Sequence, residues 1–436
     1  MFGGLNMKDL LNFIKASPTA FHAAYNAECE LEKNGFIKLS ENSKWDLKKG
    51  GKYYFTRNSS SVMAFVIPQE FDSLSYNITA AHLDSPTFKL KPNFTIDTGK
   101  YIKLNTEVYG GPILNTWMDR PLNIAGRVIV KDNGLKTKLI SFDKAMAIIP
   151  NCSIHYYHEL NKGVALNPQI DLAPIFCDNS IGKVDLNDLI AKRLNVKKDD
   201  IVSSDLYLAL LDRGTLAGAN DEFLLAPQID NLECSYAALK ALLNSQNSKS
   251  VNVLALFDNE ETGSRTRQGA QSMMLADMLE RISFALGKNV EEHKMALANS
   301  FIVSADNAQG FHPNYPQKYD VTNSVYLNNG IVIKTAARGS YTTDAVSLAY
   351  FKTVCDAANA KVQLNANRSD VPGGSTLGAI SLSNVSIHSV DIGLPQVAMH
   401  SAYETAGALD YAEMVKALSK FYEMHLEINK DGELSF

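Results

Sequence analysis

The chain lacks any stretch of about 18 uncharged apolar residues, the length a membrane-spanning helix needs. It also lacks an excess of positive charge. Lys and Arg number 42 against 47 Asp and Glu, a net of −5, so nothing asks for the phosphate-neutralising surface of a nucleic-acid binder. Its five cysteines, Cys29, Cys152, Cys177, Cys234 and Cys355, are scattered, odd in number and form no CxxC pair. That leaves no pattern for a disulfide framework or a zinc–thiolate site, and fits reduced thiols in a cytoplasmic protein. The opening MFGGLNMKDLLNFIKASPTAFHAA has no basic region followed by an unbroken apolar run. Lys8, Asp9 and Lys15 interrupt apolar residues that recur at helical spacing, so the expectation is a helix of the fold itself, with neither membrane nor nucleic acid as partner.

What is present is ordinary globular material: 436 residues, 45% hydrophobic and 20% charged. The length suits two or three domains. Helical patterns cover 8–16 and 19–33, with Pro18 expected in the first turn of the second. Strand-like runs follow at 52–56, 61–67 and 76–81. Between about 92 and 215 the pattern becomes β-rich, with runs at 101–108, 122–130, 136–141 and 154–157. Asp132-Asn133-Gly134 between two of them predicts a hairpin. From about 216, helix and strand patterns alternate, with a helical face at Leu232, Tyr236, Leu239 and Leu243 and buried-strand runs at 251–257 and 300–304. Such alternation predicts an α/β architecture with a largely parallel sheet.

Polar residues recur just beyond the apolar strand runs: His82 and Asp84, Asp230, Glu260 and Glu261, Asp306, and His400. In open α/β sheets the strand carboxyl ends line the ligand crevice, so strands sharing one sheet would bring these side chains together. Each has a plain alternative. His82 and His400 read as buried histidines or as ligands, and Glu260-Glu261 as solvated loop acids. Asp230 and Asp306 read as turn or cap residues, and Asn231 as a helix N-cap. Asp84, two residues from His82, can share its strand face and orient it. Of two adjacent glutamates, one can bind a metal while the other takes a proton from activated water. A set of imidazoles and carboxylates without thiolate suits zinc, cobalt or manganese.

The ordered set His82-Leu83-Asp84, Asp230-Asn231-Leu232, Glu260-Glu261-x-Gly-Ser, Asp306 and Met399-His400-Ser401 resembles the aspartyl aminopeptidase family. Further matches are Tyr109-Gly110-Gly111-Pro112, Thr116-Trp117-Met118-Asp119-Arg120, His312-Pro313-Asn314-Tyr315, Gly373-Gly374-Ser375-Thr376-Leu377-Gly378 and Asp391-Ile392-Gly393, so the likeness covers nearly the whole chain. The resemblance implies a metal-dependent aminopeptidase with two zinc ions per subunit, which cobalt or manganese can replace. It implies that His82 and His400 each cap one zinc, that Asp230 bridges them, and that Glu261 and Asp306 complete one set each. Glu260 is then the general base and Asp84 orients His82. The implied fold is a three-layer α/β/α catalytic domain, here 1–91 with 216–436, interrupted by a β-rich insertion and dimerisation domain at 92–215. In the family a histidine of the insertion, here His155, reaches a neighbouring subunit's site. We give it a transition-state or substrate role and leave a metal role open. The implied assembly is a homo-oligomer, a dodecamer built from dimers, acting on peptides with a free N-terminus.

Lys334 matches a family lysine near the substrate acid, or else is a surface lysine, and Tyr341 matches a tyrosine near the tetrahedral intermediate. Two positions depart from the family pattern. Gln309 stands where a histidine is common, and Tyr403 where an arginine is common before Glu404. These departures bear on substrate preference more than on the metals; with Lys334 as the matching cation, acidic N-terminal residues are expected as substrates, with neutral or hydrophobic residues as the alternative. A related dinuclear dipeptidase, carboxypeptidase or deacylase is the next reading. A non-enzymatic shell protein of this fold would have lost ligands or the Glu-Glu pair, and both are kept.

Overall fold

The computed structural model describes residues 7–435 except Lys183, Asn247, Ser375 and Leu382. Ser375 of the Gly373–Gly378 run and the first six residues lie outside the described set. A nine-stranded mixed sheet forms the centre, in the order Ile37–Lys38, Lys52–Arg57, Ser61–Val66, Val251–Phe257, Tyr76–His82, Phe301–Ala305, His388–Gly393, Ile331–Thr335, Val362–Ala366. The four strands from Val251–Phe257 to His388–Gly393 run parallel. Antiparallel pairs stand outside them: Lys52–Arg57 with Ser61–Val66, Ser61–Val66 with Val251–Phe257, and Ile331–Thr335 with His388–Gly393.

Both faces of the sheet are covered, so the central strands are buried throughout. Alternation along Val251–Phe257 assigns the layers: Leu254 and Leu256 enter one core, Val253, Ala255 and Phe257 the other. The first core is closed by helices Met7–Ala16, Ala20–Lys33, Ile229–Asn244, Ala345–Ala358 and Asp410–Glu423. The second is closed by Met274–Ala285, Val290–Ala298 and the short Leu377–Ser381. This is a three-layer α/β/α arrangement. Among the described residues no helix is long and apolar enough to cross a membrane.

After Tyr76–His82 the chain enters a six-stranded antiparallel sheet, ordered Leu135–Ser141, Leu122–Lys131, Ile201–Leu210, Thr87–Asp97, Tyr101–Tyr109, Ile175–Asp178. It has its own apolar core, capped by helix Leu186–Leu194. We propose it as the core of the insertion unit; its first strand starts at Thr87 and its last in sequence ends at Leu210. The hairpin between Lys131 and Leu135 turns through Asn133 and Gly134, both at positive φ.

A five-stranded sheet joins Thr215–Ala217, Phe223–Ala226, Glu404–Gly407, Pro395–Val397 and Ala308–Gln309. It ties together the segments that lead into Asp230, follow Asp306 and flank His400.

Three local expectations fail. Pro18 precedes the helix, and Thr19, in an extended conformation, is the N-cap. Residues 154–157 form a turn, with Tyr156 and Tyr157 N–H both bonded to the Ser153 carbonyl. Their β-branched and aromatic composition finds no partner strand, and Tyr156 is 90% exposed. Asn231 does not cap its helix: its Nδ2 donates to the Ala305 carbonyl and its Oδ1 accepts nothing.

Candidate active site

His82, Glu260, Glu261 and Asp306 emerge at one edge of the central sheet, whereas Asp230 and His400 do not share that sheet: they follow Phe223–Ala226 and Pro395–Val397 of the five-stranded sheet. His82 closes Tyr76–His82, and Leu83 continues the pairing by bonding the Phe257 carbonyl. The His82 Nδ1 faces the Asp84 carbonyl at 3.0 Å, so it is the protonated nitrogen and Nε2 is left to point inward. The Asp84 carboxylate stands 3.5 Å from the same Nδ1 and has other partners: the N–H of Glu260 (3.1 Å), the N–H of Glu261 (3.2 Å) and the Tyr109 hydroxyl (2.8 Å).

Glu260 and Glu261 sit in a single 3₁₀ turn after Val251–Phe257. Asn259 and Gly263, both left-handed, bracket that turn, which is why Asn and Gly occupy those positions. Asp306 follows Phe301–Ala305, and its N–H bonds the Ile392 carbonyl. Asp230 and Asn231 depart from helical geometry where the chain enters Ile229–Asn244, and the peptide between them is cis. His400 takes a left-handed conformation and directs Nδ1 to the Gly111 carbonyl at 3.0 Å, again freeing Nε2.

Two groups result, and Asp230 belongs to both. The His82 Nε2 lies 3.4 Å from Asp230 Oδ1 and 3.5 Å from Asp306 Oδ1. The His400 Nε2 lies 3.7 Å from Asp230 Oδ2 and 3.4 Å from Glu261 Oε2. These separations exceed the ~2.7–3.2 Å of an N–H···O hydrogen bond. Three of the four match the edge of a tetrahedron whose ligands lie about 2.0–2.2 Å from zinc, an edge of about 3.3–3.6 Å, and the fourth, 3.7 Å, lies just beyond it. Asp230 Oδ1 is buried and accepts no hydrogen bond, a costly state that a cation relieves. Ligand atoms of His82, Asp230 and Glu261 lie within 4.8 Å of one another. The residues therefore fit a metal of the zinc type.

The electrostatics agree. Burial pushes Glu260 up to about 8, with the charges of Asp306, Asp84 and Asp230 adding to it against His82. Burial and Asp230 drive Glu261 well above the carboxylate range. His82 resists burial and rises well above its usual value, because Asp230, Asp306 and Asp84 surround it. Burial works to raise Asp306, but Lys334 and His82 outweigh it and hold its carboxyl low. Buried acids crowded in this way resist ionising together, and a bound cation would relieve that resistance.

A cavity of about 520 Å³ opens from these groups. Its wall includes Glu260, Lys334, Tyr341, His312, Tyr315 and Arg368. Lys334 is only 3% exposed. Its Nζ donates to the Asp306 carbonyl at 2.8 Å and lies 5.3 Å from the Tyr341 ring centre. Gln309 also lines the cavity. The Tyr403 hydroxyl donates to Asp212, under the Arg120 guanidinium. His155 is not brought to this cavity within one chain: it lies on the exposed 153–157 turn, with Nδ1 3.4 Å from Ser153 Oγ.

Two buried acids escaped notice as parts of the site. Glu404 accepts the N–H of His400 at 2.7 Å and of Asp230 at 3.1 Å, and burial raises it well above the carboxylate range. Asp391 receives Thr342 N–H, Thr342 Oγ1 and Thr376 Oγ1, fixing the segment beside Tyr341. The available signal was a lone acid inside an apolar run, Val390-Asp391-Ile392.

Comparison with known proteins follows the same lines. A family model described as "Aminopeptidase I zinc metalloprotease (M18)" matches residues 13–422. The "Probable M18 family aminopeptidase 2" of Clostridium novyi (strain NT) is 46% identical over 424 residues, covering 95% of this chain and 98% of that protein. Among solved structures, a chain of the Ape4 and Nbr1 complex superposes with a TM-score of 0.93 at 33% identity, over 96% of this chain and 85% of that one. A chain of the S. cerevisiae mApe1 dodecamer gives 0.83 at 28% identity, over 96% of both chains.

Proposed function

The chain belongs to the aminopeptidase I zinc metalloprotease family (M18) and is a metal-dependent aminopeptidase; from that premise we propose that it removes N-terminal residues from peptides at a two-zinc centre. The carrying observation is Asp230, whose two carboxylate oxygens face two different imidazole Nε2 atoms. On this reading His82 and Asp306 would hold one ion, His400 and Glu261 the other, and Asp230 would contribute to both. Cobalt or manganese suits the same donors. When bound, the metals supply Lewis acidity toward the scissile carbonyl and toward water.

The chain's own residues do the rest. Glu260 lines the cavity beside the ligands without belonging to either group. It takes a proton from the attacking water and returns it to the amine nitrogen as the C–N bond breaks. Asp84 fixes His82 through its carbonyl and the Glu260–Glu261 backbone through its carboxylate. Tyr341 stands beside Lys334 as a donor for the developing oxyanion. The Lys334 ammonium, buried in the cavity wall, favours Asp or Glu as the residue removed. His155 serves a neighbouring subunit's substrate in a homo-oligomer, a dodecamer built from dimers; the likeness to the mApe1 dodecamer supports that assembly. The free thiols support a cytoplasmic setting.

The test is hydrolysis of Asp, Glu, Leu, Lys and Ala substrates after defined zinc loading, with amino-blocked peptides alongside. Cleavage of free but not blocked peptides, fastest for Asp and Glu, is expected. Equal cleavage of blocked peptides would overturn the aminopeptidase mechanism. A preference for Leu would overturn the acidic one alone.

A further inference from the structure

Resting on the reading of Glu260 as general base, we propose that Tyr109 is a positioning residue for the reaction: its hydroxyl, carried in from the six-stranded sheet, holds the turn that presents Glu260 and Glu261.

Tyr109 ends the strand Tyr101–Tyr109, outside the central sheet that supplies the ligands. Its hydroxyl makes two bonds of opposite sense. It donates to Asp84 Oδ2 at 2.8 Å and accepts from Asn259 Nδ2 at 2.8 Å. Asp84 in turn accepts the backbone N–H of Glu260 and of Glu261, one on each oxygen. Asn259 is the left-handed residue that starts the turn, and its Oδ1 accepts from Thr266 and Gln268. The phenol oxygen therefore joins the two groups that fix the turn, one from below and one at its entry. No carbon–carbon packing substitutes for that, because the same atom must give one proton and receive another.

The ring is held independently. It packs edge-on against Tyr207, centroids 5.7 Å apart and planes at 84°. Two residues on, the Gly111 carbonyl orients His400, and the Ile113 N–H bonds the His400 carbonyl. Gly110, at φ +71°, passes so close that an added Cβ would stand 3.1 Å from the Glu261 Cβ. The 109–113 segment thus braces the base turn and the proposed ligand His400 at once, and the hydroxyl is the part of it that bonds the residues fixing the turn. Loss of the hydroxyl takes from the Asp84 carboxylate its one side-chain donor beside the two backbone N–H groups, loosening its hold on the turn, and leaves Asn259 Nδ2 without its acceptor. A small displacement of a proton-transferring group is enough to cost a large rate factor.

The test is Tyr109→Phe in the full-length, zinc-loaded chain, which keeps the ring and removes only the hydroxyl. The expected result is a kcat lower by about tenfold to 100-fold, the range for supporting hydrogen-bond partners, with KM within about twofold. Backbone hydrogen exchange at 259–262 should quicken while zinc affinity, from competition with a chelator, stays near that of the unaltered chain. Asn259→Gly keeps the left-handed backbone available and removes the second partner. The double variant should be little slower than the slower single one, because both losses release the same turn. A kcat within twofold of the unaltered chain overturns the proposal. So does a loss that disappears at saturating zinc, or two losses that multiply. Failure of the base assignment itself reads out separately, as sustained turnover in Glu260→Gln, and leaves the exchange result to report on Tyr109 alone.

Discussion

One carboxylate, that of Glu404, clamps the backbones of Asp230 and His400, residues that approach the site from different segments: Oε2 accepts the Asp230 N–H and Oε1 the His400 N–H. Glu404→Gln keeps the shape but turns an NH₂ group toward one of those N–H donors. One buried N–H then loses its acceptor, at a cost of about 1–3 kcal/mol. Zinc affinity should fall by about 10–100-fold, as for other residues that orient ligands. Competition with a chelator measures this; unchanged affinity would mean that the five-stranded sheet alone positions the two ligands.

Removing metal should do more than stop catalysis. Five acids, Asp84, Asp230, Glu260, Glu261 and Asp306, then act on one another, with His82, His400 and Lys334 beside them as the nearest offset. Anything that binds the folded state alone stabilises it by mass action, about 4 kcal/mol for one site at a thousandfold excess over Kd. Exhaustive chelation should therefore abolish hydrolysis and lower the unfolding temperature by several degrees, and zinc should restore both. Activity that persists without metal would count against every role assigned to the ligand set.

Much of the site was legible in the sequence because its chemistry is local. His82, Glu261 and Asp306 each follow a buried apolar strand within a few residues, and parallel strands deliver such ends to one edge. Glu404 and Tyr109 were harder to read because they act on backbone groups or on residues far along the chain, 174 positions away for Glu404 and Asp230 and 150 for Tyr109 and Asn259. Lys334 read equally as a surface lysine, since nothing in Ile333-Lys334-Thr335 shows that the Asp306 carbonyl caps it. Residues 154–157 carry strand composition, yet strands need partners, and there the sheet offers none.

Gly393 explains one sequence match physically. A Cβ at that position would lie 2.0 Å from the Asp306 carbonyl oxygen and 3.0 Å from the Ala308 nitrogen. Only glycine lets the segment bearing Asp306 cross the end of His388–Gly393. Gly393→Ala should displace Asp306, weaken zinc binding at least about tenfold and cost about 1–3 kcal/mol of stability. Denaturant unfolding together with metal titration checks both; a neutral variant would show that the segment moves freely.

Glu233 offers a pH test one residue removed from the proposed ligands, through Asn307 beside Asp306. It is fully buried, bonded by Asn307 through one oxygen, and burial pushes it up to about 8. The folded state therefore holds this proton more tightly than the unfolded chain, where glutamate titrates near 4.3. Its stabilising share is complete below about pH 4 and is lost as pH rises toward 8. Glu233→Gln removes that loss. Its unfolding temperature relative to the unaltered chain should climb between pH 5 and 9, and a constant difference across that range would refute the assignment.

His155 calls for a test between subunits. Within one chain it is on an exposed turn away from the cavity that holds Glu260. If it serves a neighbouring site, His155→Ala and Glu260→Gln homo-oligomers should each lose about 100-fold or more in kcat, the scale of a transition-state contact. Mixed assemblies behave differently. A subunit with intact Glu260 can then border a subunit with intact His155, and that pairing rebuilds a complete site. Reassembling the two inactive variants together should recover a fraction of activity set by how often such neighbours occur. Recovery that is absent after proven co-assembly would place the working His155 in the same chain as its Glu260, or remove it from the reaction.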